Sequence, residues 1–109
     1  LLIIIKGENM PVNKMRPIHP GEILLEEFLK PLKMSANALS IALRIPAPRI
    51  NDIVRQKRGL SADTALRLAR YFGSTAQFWL NLQTAYELKI VEQQMGTSIQ
   101  KEILPRQVA

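Results

Sequence analysis

Between Arg44 and Arg58 the chain gathers Arg44, Arg49, Asn51, Asp52, Arg55, Lys57 and Arg58. Guanidinium and carboxamide groups form paired hydrogen bonds to base edges, and lysine and arginine neutralise phosphates. This is the chemistry of recognition. The chemistry of catalysis is poorly supplied: the sequence has one histidine, His19, and no cysteine. It also shows no metal-ligand cluster and no glycine-rich phosphate loop, so an enzyme is disfavoured and no metal or other cofactor is expected. His19 stands just before a predicted helix and reads as a capping or packing residue. Glu22, Glu26 and Glu27 read as the solvated side of that helix. The absence of cysteine excludes a disulfide framework and a thiolate metal site, and fits a reducing compartment.

Charge sharpens the same region. The chain carries a net +6. Residues 35–58 hold +4 of it, from Arg44, Arg49, Arg55, Lys57 and Arg58 against Asp52, while residues 16–33 and 84–109 each sum to zero. A local positive field attracts polyanions. The longest wholly apolar run, Leu1–Ile5, is too short to span a bilayer and lacks the features of a signal peptide.

Five helices are predicted to position these groups. Met15–Pro20 reads as an extended lead-in, and Pro20 suits the first position of a helix with Glu22 in its first turn. Leu25, Phe28, Leu29 and Leu32 form the inward stripe of that helix, with Ile23 and Leu24 partly off it. Pro31 ends or bends it. Ser35 caps a second helix with Leu39, Ala42 and Leu43 buried. Arg44-Ile45-Pro46 breaks it, and a third helix starts near Ala47 with Ile50, Ile53 and Val54 inward. Ser61 caps a fourth, with Asp63 in the first turn, Ala65, Leu68, Ala69 and Phe72 as its stripe and Gly73 as its stop. Thr75 caps a fifth, on which Phe78, Leu82, Ala85 and Lys89 lie in line, flanked by Trp79, Tyr86 and Ile90. A second stripe on the fifth helix, Leu80, Thr84, Leu88 and Val91, asks for a further partner, most simply a second copy of the chain. Gly96–Ala109 reads as a short helix or frayed tail.

The organisation expected is an N-terminal arm at 1–14, an all-α domain at 15–93 whose last helix dimerises, and a C-terminal tail at 94–109. Residues 1–9 differ in composition from the rest of the chain. Lys6-Gly7-Glu8 is what a purine-rich ribosome-binding site would encode, so translated upstream sequence with Met10 or Met15 as the native start is expected. The alternative is a genuine apolar arm.

Counted from Ala36 as first helical position, apolar residues fall at the fourth (Leu39), eighth (Leu43), tenth (Ile45), fifteenth (Ile50) and eighteenth (Ile53) places. That spacing holds two short helices steeply crossed around one core, a helix-turn-helix. The second helix then presents Ala47, Pro48, Arg49, Asn51, Asp52 and Arg55 outward. Arg49 and Asn51 have the chemistry of bidentate base contacts, and Asp52 that of an acceptor for a cytosine amine or a restraint on Arg49 or Arg55. Ser35 and Asn37 at the start of the first motif helix, with Arg55, Lys57 and Arg58 at and after the end of the second, are expected at phosphates.

Four blocks of the sequence resemble the HigA-type antitoxins, a branch of the phage-repressor-like (XRE/Cro) helix-turn-helix proteins. They are H-P-G-E-I-L-L-E-E-F-L-K-P-L (His19–Leu32), P-A-P-R-I-N-D-I-V (Pro46–Val54), K-R-G-L-S-A-D-T-A-L-R-L-A-R-Y-F-G (Lys57–Gly73) and F-W-L-N-L-Q (Phe78–Gln83). The resemblance covers about Met15–Ile90. It implies a five-helix phage-repressor-like fold and two activities: binding a double-stranded DNA operator as a homodimer, and neutralising a HigB-type mRNA-cleaving toxin. By position it implies base contacts from Ala47, Pro48, Arg49 and Asp52, with Asn51 nearby. It further implies a bacterial cytoplasmic, nucleoid-associated protein. Arg44 departs from the family, whose turn usually has glycine there; a positive φ would cost an arginine roughly 1 kcal/mol. Two alternatives stand beside this reading: a stand-alone XRE-family regulator without a toxin, and a protein-interaction bundle without DNA activity.

Overall fold

The computed structural model describes residues 16–107. The expectations for residues 1–14, including the native start, lie outside them. Among the described residues all regular structure is helical. Contacts divide them into two compact units, one formed by residues 18–86 and the other by residues 16–17 with 87–107.

In the first unit, helix α1 is an unbroken run made of Pro20–Ile23, Leu24–Leu29 and Lys30–Leu32. Its N-cap is His19, whose Nδ1 accepts from the Gly21 N–H at 2.8 Å. Leu24–Leu29 is wound as a π-helix, and the Lys30 N–H reaches back to the Leu25 carbonyl. The wider turn eases the clash that a proline ring, here Pro31, imposes on the carbonyl four residues before it. It also changes which residues point inward. Leu24 and Leu29 are fully buried, whereas Leu32 is exposed. The stripe expected from a 3.6-residue period is therefore corrected: Leu24 belongs to the core and Leu32 does not. The run ends at Lys33 in the left-handed conformation.

Helix α2 spans Ala36–Leu43, capped by the Ser35 hydroxyl, which accepts from the Ala38 N–H at 3.0 Å. Leu39 and Leu43 are buried, but Ala42 is exposed and Ser40 takes the inward place, its hydroxyl bonded to the Asn37 carbonyl. Arg44 follows at φ 59°, ψ 46°, so the turn does use the left-handed conformation. Helix α3 spans Ala47–Val54 with Ile50 and Ile53 fully buried, and helix α4 spans Ala62–Phe72, capped by Ser61 and stopped by Gly73. Ile45, in the turn, joins the same core.

Helix α5 spans Ala76–Glu102. Thr75 caps it, its hydroxyl accepting from the Phe78 N–H. In the first unit its inward face is Trp79 and Gln83, with Tyr86 half-buried; Phe78 and Ala85 are exposed. Trp79 is sealed beneath Phe28, and its indole N–H donates to the Ser74 hydroxyl at 3.0 Å. Burying the largest side chain of the chain sets the helix's rotation, and the exposure of the line through Phe78 and Ala85 results from that one-position shift. In the second unit the helix runs through Gly96 without a break to Glu102, longer than the short or frayed segment expected.

Candidate nucleic-acid interface

Glycine at position 21 allows α1 to meet the end of α3. A Cβ there would overlap the Ile53 carbonyl. The segment His19-Pro20-Gly21-Glu22 thus has a physical sense residue by residue: a side-chain cap, a proline where no N–H is needed, a close backbone approach and a first-turn carboxylate. The approach seats α3 against the core and leaves its other face outward.

On that face Ala47, Arg49, Asn51 and Asp52 are half-buried, while Pro48 and Arg55 are exposed. Their polar ends are ordered by neighbours. Arg49 Nη1 donates to Asp63 Oδ2 at 3.0 Å. Asn51 Nδ2 donates to Asn37 Oδ1 at 3.0 Å and to the Ala47 carbonyl at 2.9 Å, so Asn37 on α2 and Asn51 on α3 form one contiguous polar patch. Arg58 Nη2 stands 3.9 Å from Asp52 Oδ2. Asp52 therefore faces Arg58, and Arg49 turns instead to Asp63. Arg55 and Lys57 have no ion pair among the described residues.

The basic loop after α3 is held from two sides. His19 makes a hydrogen bond with the Arg58 backbone, and Gln83 Oε1 accepts from the buried Leu60 N–H at 2.7 Å. Burial lowers the His19 pKa below its ordinary value, partly offset by the bond to Arg58. Nδ1 is committed as an acceptor, which fixes the neutral ring with its proton on the other nitrogen. The capping role expected for His19 is thus extended to the loop that carries Lys57 and Arg58.

Three residues of the interface escape sequence reasoning: Asp63 as a partner of Arg49, Arg67 as a clamp, and Gln83 as a loop anchor. Arg67 Nε contacts both Asp63 oxygens at 3.2 and 3.1 Å, and its Nη1 donates to the Leu43 carbonyl at 2.8 Å. Gln83 alone left a trace in the sequence, as a polar residue one helical turn after Trp79.

The four residues expected at a dimer contact all lie on α5. Leu80 packs partly against the core, Thr84 is exposed, and Leu88 and Val91 are 58% and 43% exposed. Among the described residues no helix is long and apolar enough to cross a membrane, and no three His, Cys, Asp or Glu side chains are grouped so as to hold a metal ion.

Helices α2 and α3, joined by a three-residue turn and presenting a polar basic face, define a helix-turn-helix protein of the DNA-binding class. No family model matches the chain. Relatives do. It is 64% identical over 81 residues to virulence-associated protein I of Dichelobacter nodosus, covering 74% of this chain and 75% of that one. It is 35% identical over 79 residues to antitoxin HigA-1 of Vibrio cholerae, covering 72% and 74%. Among solved structures, the Pseudomonas aeruginosa antitoxin HigA with the higBA promoter superposes with a TM-score of 0.82 at 53% identity, covering 84% of this chain and 100% of that one. The chain belongs to the HigA family of helix-turn-helix antitoxins.

Proposed function

We propose that this chain is the repressor and antitoxin of a type II toxin–antitoxin module, without enzymatic activity of its own. It binds a double-stranded operator as a homodimer and neutralises a HigB-type mRNA-cleaving toxin. The observation that carries the reading is the outward face of α3, where Arg49, Asn51 and Asp52 are each ordered by a neighbouring side chain, within a fold whose solved relative was determined with promoter DNA.

Ala47, Pro48, Arg49, Asn51 and Asp52 contact bases, and Ser35, Asn37, Arg55, Lys57 and Arg58 contact phosphates. Arg49 carries most of the discrimination, and Asn51, both of whose Nδ2 hydrogens are engaged by Asn37 and Ala47, reads a base through Oδ1; the apolar pair Ala47 and Pro48 offers a thymine methyl a surface. Dimerisation runs through Leu80, Thr84, Leu88 and Val91 and brings two recognition helices to two half-sites. Leu88 and Val91 contribute more than Leu80, which already packs against its own core. The site of action is the bacterial cytoplasm.

Co-expression with the neighbouring open reading frame tests the antitoxin half. Co-purification of the two products together with rescue of growth is expected; growth arrest by the neighbour that this chain does not relieve would refute it.

A further inference from the structure

Asp63 lies outside the helix-turn-helix, in the first turn of α4, yet it touches the side chain on which base reading rests most heavily. Its Oδ2 accepts from Arg49 Nη1 at 3.0 Å. Both of its oxygens also take Arg67 Nε, and Arg67 Nη1 continues to the carbonyls of Leu43 at 2.8 Å and Arg44 at 3.4 Å. The result is a chain of contacts from the backbone of the left-handed turn, through Arg67 and Asp63, to the recognition arginine. Its base is firm, because Ala65, Leu68 and Ala69 of the same helix are in the core. Asp63 binds Arg49 through Nη1 only, and a guanidinium has five N–H donors, so donors remain for a base edge.

We infer that Asp63 is a positioning and specificity-determining residue: it restrains Arg49 for base reading and keeps that charge away from phosphates. The inference rests on the DNA-binding function proposed above. Ion pairs as exposed as Asp63 contribute little to stability, so its effect lies in where Arg49 points. A guanidinium released from its carboxylate becomes one more mobile cation. It adds to binding of any sequence and takes away from binding of the right one.

The test uses full-length wild type, Asp63→Asn, Asp63→Glu, Arg49→Ala and the Arg49→Ala/Asp63→Asn double variant. The probes are a duplex from the region upstream of the gene and a scrambled duplex of equal length and composition, over a series of salt concentrations. Asp63→Asn should lower the ratio of specific to scrambled affinity by roughly tenfold and steepen the salt slope on scrambled DNA by about one. Asp63→Glu should recover most of the ratio. In the Arg49→Ala background Asp63→Asn should leave the ratio unchanged, which a purely structural role would not do. A ratio unaltered by Asp63→Asn in an otherwise discriminating protein overturns the inference, as does an equal loss in both backgrounds. If wild type itself fails to discriminate the duplexes, the DNA-binding reading falls first and this inference with it.

Discussion

Arg44 gives the cleanest test of how the turn is built. It sits at φ 59°, ψ 46° with no glycine to relieve the contact between Cβ and carbonyl. That conformation costs an L-residue about 1–2 kcal/mol. Arg44→Gly removes the cost and adds back about 0.5–1 kcal/mol of backbone entropy lost on folding. The hydrogen bond from the Arg44 N–H to the Ile41 carbonyl and the acceptance from Arg67 are backbone features and survive the change. The net gain is about 0.5–1 kcal/mol, or roughly 2–8 °C in Tm for a domain of this size. Thermal unfolding at fixed protomer concentration measures it, since dimerisation makes Tm concentration-dependent. Arg44→Ala is the control. It keeps Cβ and removes the charge, so it should not stabilise. If alanine stabilises as much as glycine, crowding of Arg44 with Arg67 and Arg70 around the same surface pocket is the cause and the backbone argument is refuted.

Gly21→Ala should destabilise by about 1–3 kcal/mol, read in urea unfolding, because its Cβ overlaps the Ile53 carbonyl and forces α1 away from α3; an unchanged midpoint would contradict the close approach. Gln83→Ala should cost about 1–3 kcal/mol by leaving the buried Leu60 N–H without its acceptor, and hydrogen exchange at Leu60 should accelerate; unaltered exchange there would refute the anchor. His19 makes stability pH-dependent. Its folded pKa lies below the ordinary 6.5, so the unfolded chain binds the proton first. The contribution is complete above pH 6.5 and is lost as pH falls from there through the folded value. In a His19→Asn variant, which can still cap α1, that part of the pH dependence should vanish; an identical profile would remove His19 as its source.

Local chemistry made much of this fold legible. Ser35, Ser61 and Thr75 cap the helices expected of them, because a cap involves neighbours three residues apart. The turn and inner face of the helix-turn-helix were legible for a related reason: Leu39, Leu43, Ile45, Ile50 and Ile53 form one short-range pattern, and all are buried. What the pattern missed has physical causes. The π-wound stretch of α1 breaks the 3.6-residue period, so Leu24 and Leu32 exchange roles. On α5 the bulk of Trp79 sets the rotation over the count of apolar residues. In the candidate interface the residue types were visible but their partners were not. Arg49 meets Asp63 across fourteen positions, and Arg67 meets the Leu43 carbonyl across twenty-four. The partners stand on different elements, so no period within one helix signals them, and only the packing of α4 beside the motif brings them together.

The central claim is that the outer face of α3 reads DNA sequence. Its most direct test is the affinity of Arg49→Ala/Asn51→Ala, at fixed salt, for the upstream duplex and its scrambled counterpart, beside a folded-state check by circular dichroism. The bidentate contact of Arg49 contributes about 1–3 kcal/mol of discrimination and Asn51 Oδ1 adds a single contact, so the double variant should lose at least roughly tenfold in specific affinity and much less on scrambled DNA. A folded double variant that binds the upstream duplex as tightly as wild type would contradict the account.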